Sequence, residues 1–136
     1  MTVRPFEAAD THAVIALWHA CGLTRPWNDP ADDIRQKLTT QPELFLVAVE
    51  AGEVVGSAMA GYDGNRGWVH YLAVDPGSRG RGHAAALMGE IEALLLGLGC
   101  AKLNLQIRTS NLGVIAFYEG IGYVQDEVVS YGKRLR

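Results

Sequence analysis

The segment from Trp68 to Leu87, WVHYLAVDPGSRGRGHAAAL, constrains this chain more than any other. It is apolar and β-branched through Val74, turns at Pro76-Gly77, alternates arginine with glycine from Arg79 to Gly82, and continues into strong helix formers. A strand, a glycine-rich loop and a helix in that order make an anion site. Gly80 and Gly82 let the backbone turn tightly and approach a ligand. The first N–H groups of the following helix are unpaired and lie at its positive end. Arg79 and Arg81 add forked guanidinium groups that suit phosphate oxygens.

A chain of 136 residues fits a single domain, residues 1–136, with enough apolar content (49%) for a core of its own. The net charge of −3 argues against a general nucleic-acid surface, so the local cations at 79 and 81 point to a small anionic ligand. Cys21 and Cys100 are too few for a disulfide framework and read as reduced thiols of a cytoplasmic protein. The amino terminus carries no signal-like apolar stretch, and no run is long enough to span a membrane. The absence of HExxH, Cys/His clusters and EF-hand loops predicts no metal, and neither GxSxG nor a nucleotide P-loop occurs.

Periodicity predicts a strand at Thr2 to Phe6, then a helix capped by Asp10 and running to about Gly22. A second helix is expected from Asp29-Pro30 to Thr40. Glu43–Glu50 and Glu53–Gly61 read as a hairpin across Ala51-Gly52, followed by a turn at Asp63-Gly64-Asn65 and a strand from Trp68 to Val74. The helix after the glycine loop puts Ala84, Leu87, Met88, Ile91, Leu95 and Leu98 on one stripe. A strand at Lys102–Arg108, a helix capped by Asn111 and ending at Ile121, and one or two strands between Tyr123 and Leu135 complete the order. The fold class is α/β, with a mixed central sheet flanked by helices on both faces.

Two separated blocks in this order resemble the GCN5-related N-acetyltransferase (GNAT) superfamily. The first is Leu72-Ala73-Val74 followed by Arg79-Gly80-x-Gly82-x-Ala84, similar to that family's pyrophosphate loop. The second is Asn111 followed by Ala116-Phe117-Tyr118-Glu119 and Gly122-Tyr123, similar to its Asn…FYxxxGF signature. The resemblance covers nearly the whole chain, which looks like a small bacterial member. It implies the acyl-CoA N-acyltransferase fold, acetyl-CoA as cosubstrate and an amine as acceptor, with neither nucleic acid nor membrane as partner. It places the pantetheine arm beside Leu72, Ala73 and Val74, the pyrophosphate on residues Arg79, Gly80, Arg81, Gly82, His83 and Ala84, and Asn111 and Tyr118 along the cofactor arm. In the family a bulge splays the strand before the loop from its neighbour, a feature that spacing alone does not reveal.

The resemblance makes Tyr118 the acid that protonates the departing thiolate, a task a neutral phenol can perform. Helical spacing puts Asn111 and Tyr118 on one face and turns Phe117 away with Val114 and Ile121 toward the core. His70 lies in phase with Trp68, Leu72 and Val74 if the strand is regular, and is the candidate general base beside a purely structural role. Asp63 is the next candidate for the base. The loop Thr24–Asp29 and nearby aromatics offer acceptor contacts: Trp27, Asp29, Tyr62, Asp63 and Tyr71. Two other functions stay open on the residues: Gly80-Arg-Gly82-His-Ala-Ala85 also satisfies the dinucleotide pattern, with Arg108 able to meet a 2′-phosphate, and a CoA-sensing module would keep the fold without catalysis. The expected assembly is a monomer or a homodimer through the terminal strands.

Overall fold

A computed structural model describes residues 1–136 and divides into two compact units, Met1–Leu105 and Gln106–Arg136. The first holds β1 (Thr2–Pro5), α1 (Thr11–Ala20), α2 (Pro30–Leu38), β2 (Phe45–Glu50), β3 (Glu53–Tyr62), β4 (Gly67–Val74), α3 (His83–Gly97) and β5 (Leu103–Leu105). The second holds α4 (Leu112–Gly120). The strands form one sheet in the order β1-β2-β3-β4-β5, antiparallel except for the parallel pair β4–β5. The two-residue turn between β2 and β3 has Ala51 and Gly52 both at positive φ, the geometry that matches the twist of a tight hairpin.

Both faces of this sheet are covered within the first unit. On one, Val14, Leu17 and Trp18 of α1 and Ile34 of α2 pack against Phe6, Phe45, Val47, Met59 and Ala73. On the other, α3 buries Leu87, Met88, Ile91 and Leu95. Two small residues set how close α3 comes. A Cβ at Gly56 would stand 3.1 Å from Leu87 Cδ1, and one at Gly67 would stand 2.8 Å from Leu95 Cδ1. Leu98, expected on the same stripe, is half exposed, and Cys100 takes the buried place just past the helix end.

Three expectations are corrected. Asp10 does not cap α1: its carboxylate receives Arg4 through two bonds of 2.8 and 3.0 Å and the Glu7 N–H at 2.8 Å, so it closes the turn before the helix. The strand expected over Lys102–Arg108 shrinks to Leu103–Leu105, because only Gly67–Val69 of β4 present a partner edge. No strand forms between Tyr123 and Leu135. Val124, Val128, Val129, Tyr131 and Leu135 carry strand-forming side chains but are exposed, and β-propensity without a paired neighbour does not make a strand.

Candidate active site

The site grows from an irregularity in β4. Against β3 its register runs Gly56↔Val74, Ser57↔Ala73, then Met59↔His70, so Tyr71 and Leu72 together oppose Ala58. Two residues facing one define a β-bulge. Tyr71 adopts φ 55°, in the left-handed region that a bulky residue occupies only when its surroundings impose it. Those surroundings are specific. The Tyr71 ring stacks on Trp18 with centroids 3.8 Å apart, and its hydroxyl donates to Asp33 Oδ2 at 2.6 Å. Its carbonyl accepts from Ser57 Oγ at 2.8 Å, and Ser57 Oγ in turn accepts from Trp18 Nε1 at 2.9 Å. Burial and the Asp33 carboxylate push the Tyr71 phenol up to about 12, so it stays a donor.

The bulge turns the strand over. Gly67 faces α3, yet Ala73, which a regular strand would put on the same side, lies in the α1 core. His70 sits opposite Met59 on the α1/α2 face, while Val74 sits opposite Gly56 on the α3 face. The expected phase of His70 with Leu72 and Val74 is therefore broken. Beyond Val69, β4 pairs with no strand on the β5 side. The stretch His70–Val74 thus offers an open backbone edge to a ligand that can pair like a strand.

At the end of this edge the chain makes a compact turn. Asp75 accepts from the N–H of Gly77 at 3.1 Å and of Ser78 at 2.8 Å, through its carboxylate and its carbonyl respectively. Gly80 and Gly82 then take φ 79° and 84°, and Gly82 is the N-cap of α3. No acceptor inside the protein meets the backbone N–H groups of residues 80–85. They form a cluster of free donors at a helix start, suited to a diphosphate.

The loop's own side chains also brace it. Arg79 folds back, donating from Nε to the Val74 carbonyl at 3.3 Å. Glu50, the last residue of β2, bonds Arg81 Nη1 at 3.2 Å and His83 Nε2 at 2.8 Å. The His83 hydrogen bond first, and then the Arg81 guanidinium, hold the Glu50 carboxyl below the usual range. His83 is 2% exposed, so its ring anchors the loop from within while its N–H stays available.

The residues expected to meet the acceptor divide into two groups. Tyr71 and His70 lie on the α1/α2 face at the bulge. His70 is exposed, yet partial desolvation by its neighbours lowers its pKa and the Lys37 ammonium adds to this, while Asp33 opposes them; the imidazole is biased toward its neutral form. Asp63, by contrast, accepts from the N–H groups of Asn65 and Arg66, both at 2.7 Å, and these bonds hold its carboxyl low. It makes a turn and is ill-suited to take a proton. Tyr62 donates to the Gly64 carbonyl at 3.1 Å in that turn. Asp29 caps α2 by accepting from Ala31 N–H at 3.0 Å. Trp27, 58% exposed, presents its indole at the surface of the same loop.

In the second unit, Asn111 caps α4 by accepting from the Val114 N–H at 3.3 Å. Tyr118, not Phe117, is the buried aromatic, 6% exposed, with Phe117 and Tyr123 edge-on at 5.2 and 5.4 Å. Val114 is exposed, so the helix turns its tyrosine face inward, the reverse of the expectation. The Tyr118 hydroxyl makes no hydrogen bond within the protein, and burial pushes its pKa well above the free phenol.

Residues 12–123 match the model of the acetyltransferase (GNAT) family. The chain belongs to that family. An acetyltransferase of Sodalis glossinidius is 53% identical over 136 residues, covering 99% of this chain and 96% of that protein. One of Yersinia enterocolitica is 50% identical over 135 residues, with the same shares of 99% and 96%. The crystal structure of Ard1 from Thermoplasma volcanium superposes with a TM-score of 0.82 at 29% identity, over 90% of this chain and 82% of that one.

As a GNAT protein the chain has the acyl-CoA N-acyltransferase fold and is an acetyl-CoA-dependent N-acetyltransferase. The open edge of β4 and the free amides of residues 80–85 fit a cosubstrate with an amide-bearing arm and a diphosphate. The dinucleotide alternative finds no support: only β4 and β5 run parallel, and a doubly wound nucleotide fold needs a run of parallel strands. Ser57 and Glu50, which hold the bulge and the loop, went unnoticed in the sequence. Both act across long separations, and neither lies in a motif.

Proposed function

We propose that acetyl transfer occurs by direct attack of a neutral amine on the acetyl-CoA thioester, without a covalent enzyme intermediate. The observation that carries this reading is the bulged β4 edge running into a loop of unpaired amides, with His70 on one side of the bulge. Acetyl-CoA supplies the acetyl group. Leu72, Ala73 and Val74 hold its arm, and the backbone of Arg79, Gly80, Arg81, Gly82, His83 and Ala84 holds its diphosphate. A backbone N–H of the Leu72–Val74 stretch polarises the carbonyl oxygen. The C–N bond forms as the C–S bond breaks; His70 receives the amine proton and Tyr118 gives one to sulfur, with solvent restoring both. No nucleophile with a paired base stands in the site to form an acyl-enzyme. Asn111 lies along the arm, and Trp27, Asp29, Tyr62, Asp63 and Tyr71 bound the acceptor side, with Asp29, Tyr62 and Asp63 acting through the turns they close. Residues 1–136 act as one domain in the cytoplasm, as a monomer or a homodimer. Two free cysteines and the lack of a helix long and apolar enough to cross a membrane accord with that compartment.

His70 provides the test. A base must be neutral to act, and partial desolvation together with Lys37 disfavours the imidazolium. Its catalytic midpoint then falls below the ordinary histidine value of about 6.5, and the acid limb of kcat/KM lies under that pH. His70→Ala should abolish this limb and lower kcat/KM by roughly 10²-fold or more, leaving only the titration of the amine itself. A pH–rate profile that matches wild type would discard His70 as the base.

A further inference from the structure

Beside His70, on the same face of the sheet, lies a charged group with nothing to bind. Lys37, on α2, is 9% exposed, and its ammonium makes no hydrogen bond or ion pair within the protein. It stands one turn from Asp33, at a spacing that commonly pairs opposite charges on a helix. The two do not pair. Asp33 is turned to the Tyr71 hydroxyl, and Lys37 reaches toward Gly61 of β3. The nearest polar side chain there is turned to the backbone instead: Gln41 donates to the Tyr62 carbonyl at 2.9 Å and accepts the Tyr62 N–H at 2.8 Å. Burial lowers the Lys37 pKa, with Glu43 offsetting only part, while its Nζ is not sealed from solvent and a ligand can reach it.

Gly61 is the second, independent sign. Its φ is not in the left-handed region, so the backbone does not require glycine. A Cβ there would meet only Gln41 Oε1 at 3.7 Å and Lys37 Nζ at 3.9 Å, ordinary contacts, so packing does not require it either. Glycine within a strand weakens it, and one with neither a conformational nor a steric reason marks a place where something else approaches the backbone. Gly61 pairs with Trp68 and Met59 with His70 across β3 and β4, which puts Trp68 and His70 on this same face. Gly61, Trp68 and His70 thus share one face of the sheet, with the unpaired Lys37 ammonium reaching over Gly61.

Resting on the acetyl-transfer reading above, we propose that the acceptor is a small amine carrying a carboxylate, held by Lys37 in the space over Gly61 with its amine toward His70. The charges select a monoanion. One ammonium stands there with Asp33 and Glu43 nearby, an arrangement that disfavours a dianionic phosphate. Asp33 places negative charge on the side of His70, toward which the amine end of a zwitterion is drawn. A carboxylate gains a charge-assisted bond from Lys37 that its neutral carboxamide does not.

The test compares kcat/KM for matched pairs, a panel of amino acids each beside its own carboxamide, with acetyl-CoA saturating. Wild type should favour the carboxylate of its best pair by at least about tenfold. In Lys37→Gln that ratio should fall to near one, and because it is taken on a single preparation it does not depend on the fraction folded. Gly61→Ala, whose added carbon makes only ordinary contacts, should raise KM for the carboxylate member. A wild-type ratio near one, or a ratio that survives Lys37→Gln, overturns this acceptor assignment while leaving acetyl transfer intact. Acetylation of no amine in either set by a preparation that binds acetyl-CoA also overturns the acceptor assignment, and a preparation that does not bind acetyl-CoA overturns the functional reading on which it rests.

Discussion

Replacing Tyr118 with Phe is expected to lower kcat by about 10²–10⁴-fold, the usual worth of a positioned general acid, with little change in acetyl-CoA affinity. Thermal stability should stay near wild type, because the hydroxyl removed makes no hydrogen bond inside the protein and the ring contacts with Phe117 and Tyr123 are kept. That combination separates chemistry from folding. The ring is buried while the hydroxyl has no partner inside the protein and is not sealed from solvent, so it is free to meet a ligand. Burial holds the phenol neutral, so it still carries the proton it is to donate when the thiolate departs. Steady-state kinetics and a melting curve on Tyr118→Phe decide the matter. Unchanged turnover would remove Tyr118 from the mechanism.

Ser57→Ala should be the most costly single-atom deletion for the site's architecture. Ser57 and Trp18 are both fully buried, and the Ser57 hydroxyl joins the Trp18 indole to the Tyr71 carbonyl. Without it a buried donor and an acceptor lose their partner, at about 1–3 kcal/mol. For a domain of this size that corresponds to a Tm lower by roughly 3–10 °C. The loss reaches function because Tyr71 holds a left-handed φ of 55° only under constraint. Strain of this kind costs on the order of 1–3 kcal/mol, so a strand freed of the Ser57 bond relaxes toward regular pairing and closes the edge that receives the cosubstrate. Acetyl-CoA affinity should therefore fall together with Tm. A variant with wild-type melting and wild-type affinity would show that the Trp18–Ser57–Tyr71 relay does not maintain the bulge.

The sequence disclosed those parts of the fold that depend on local signals. The hairpin at Ala51-Gly52, the Asn111 cap, the Asp29-Pro30 start of α2 and the glycine loop all appear where turn and cap chemistry put them. What escaped was decided by pairing between distant segments. The bulge has no glycine to announce it; it exists because Trp18, Asp33 and Ser57, far apart in sequence, converge on Tyr71. From it follow the reversed phase after His70 and the three-residue length of β5. The alternating residues after Tyr123 illustrate the opposite error, a strand pattern that finds no ladder to join.

The candidate site divides in the same way. The glycines and the Asn…Tyr signature were legible because backbone conformation and helix spacing leave marks in sequence. The roles of the charged side chains were not. Arg79 and Arg81 read as cations at an anion loop, and the bonds of Arg79 to Val74 and of Arg81 to Glu50 are not written in the motif. Asp63 suggested a base and closes a turn. A charge beside a glycine loop states that an anion is welcome there; only the partner it finds in the fold shows whether it meets that anion itself.

Every step of the proposed reaction depends on the loop following the bulged strand receiving acetyl-CoA. Calorimetric titration of the purified protein with acetyl-CoA and, in parallel, with NADPH tests it most directly. Saturable heat with acetyl-CoA and none with NADPH is the predicted result. Binding of NADPH alone, or of neither compound, would contradict it.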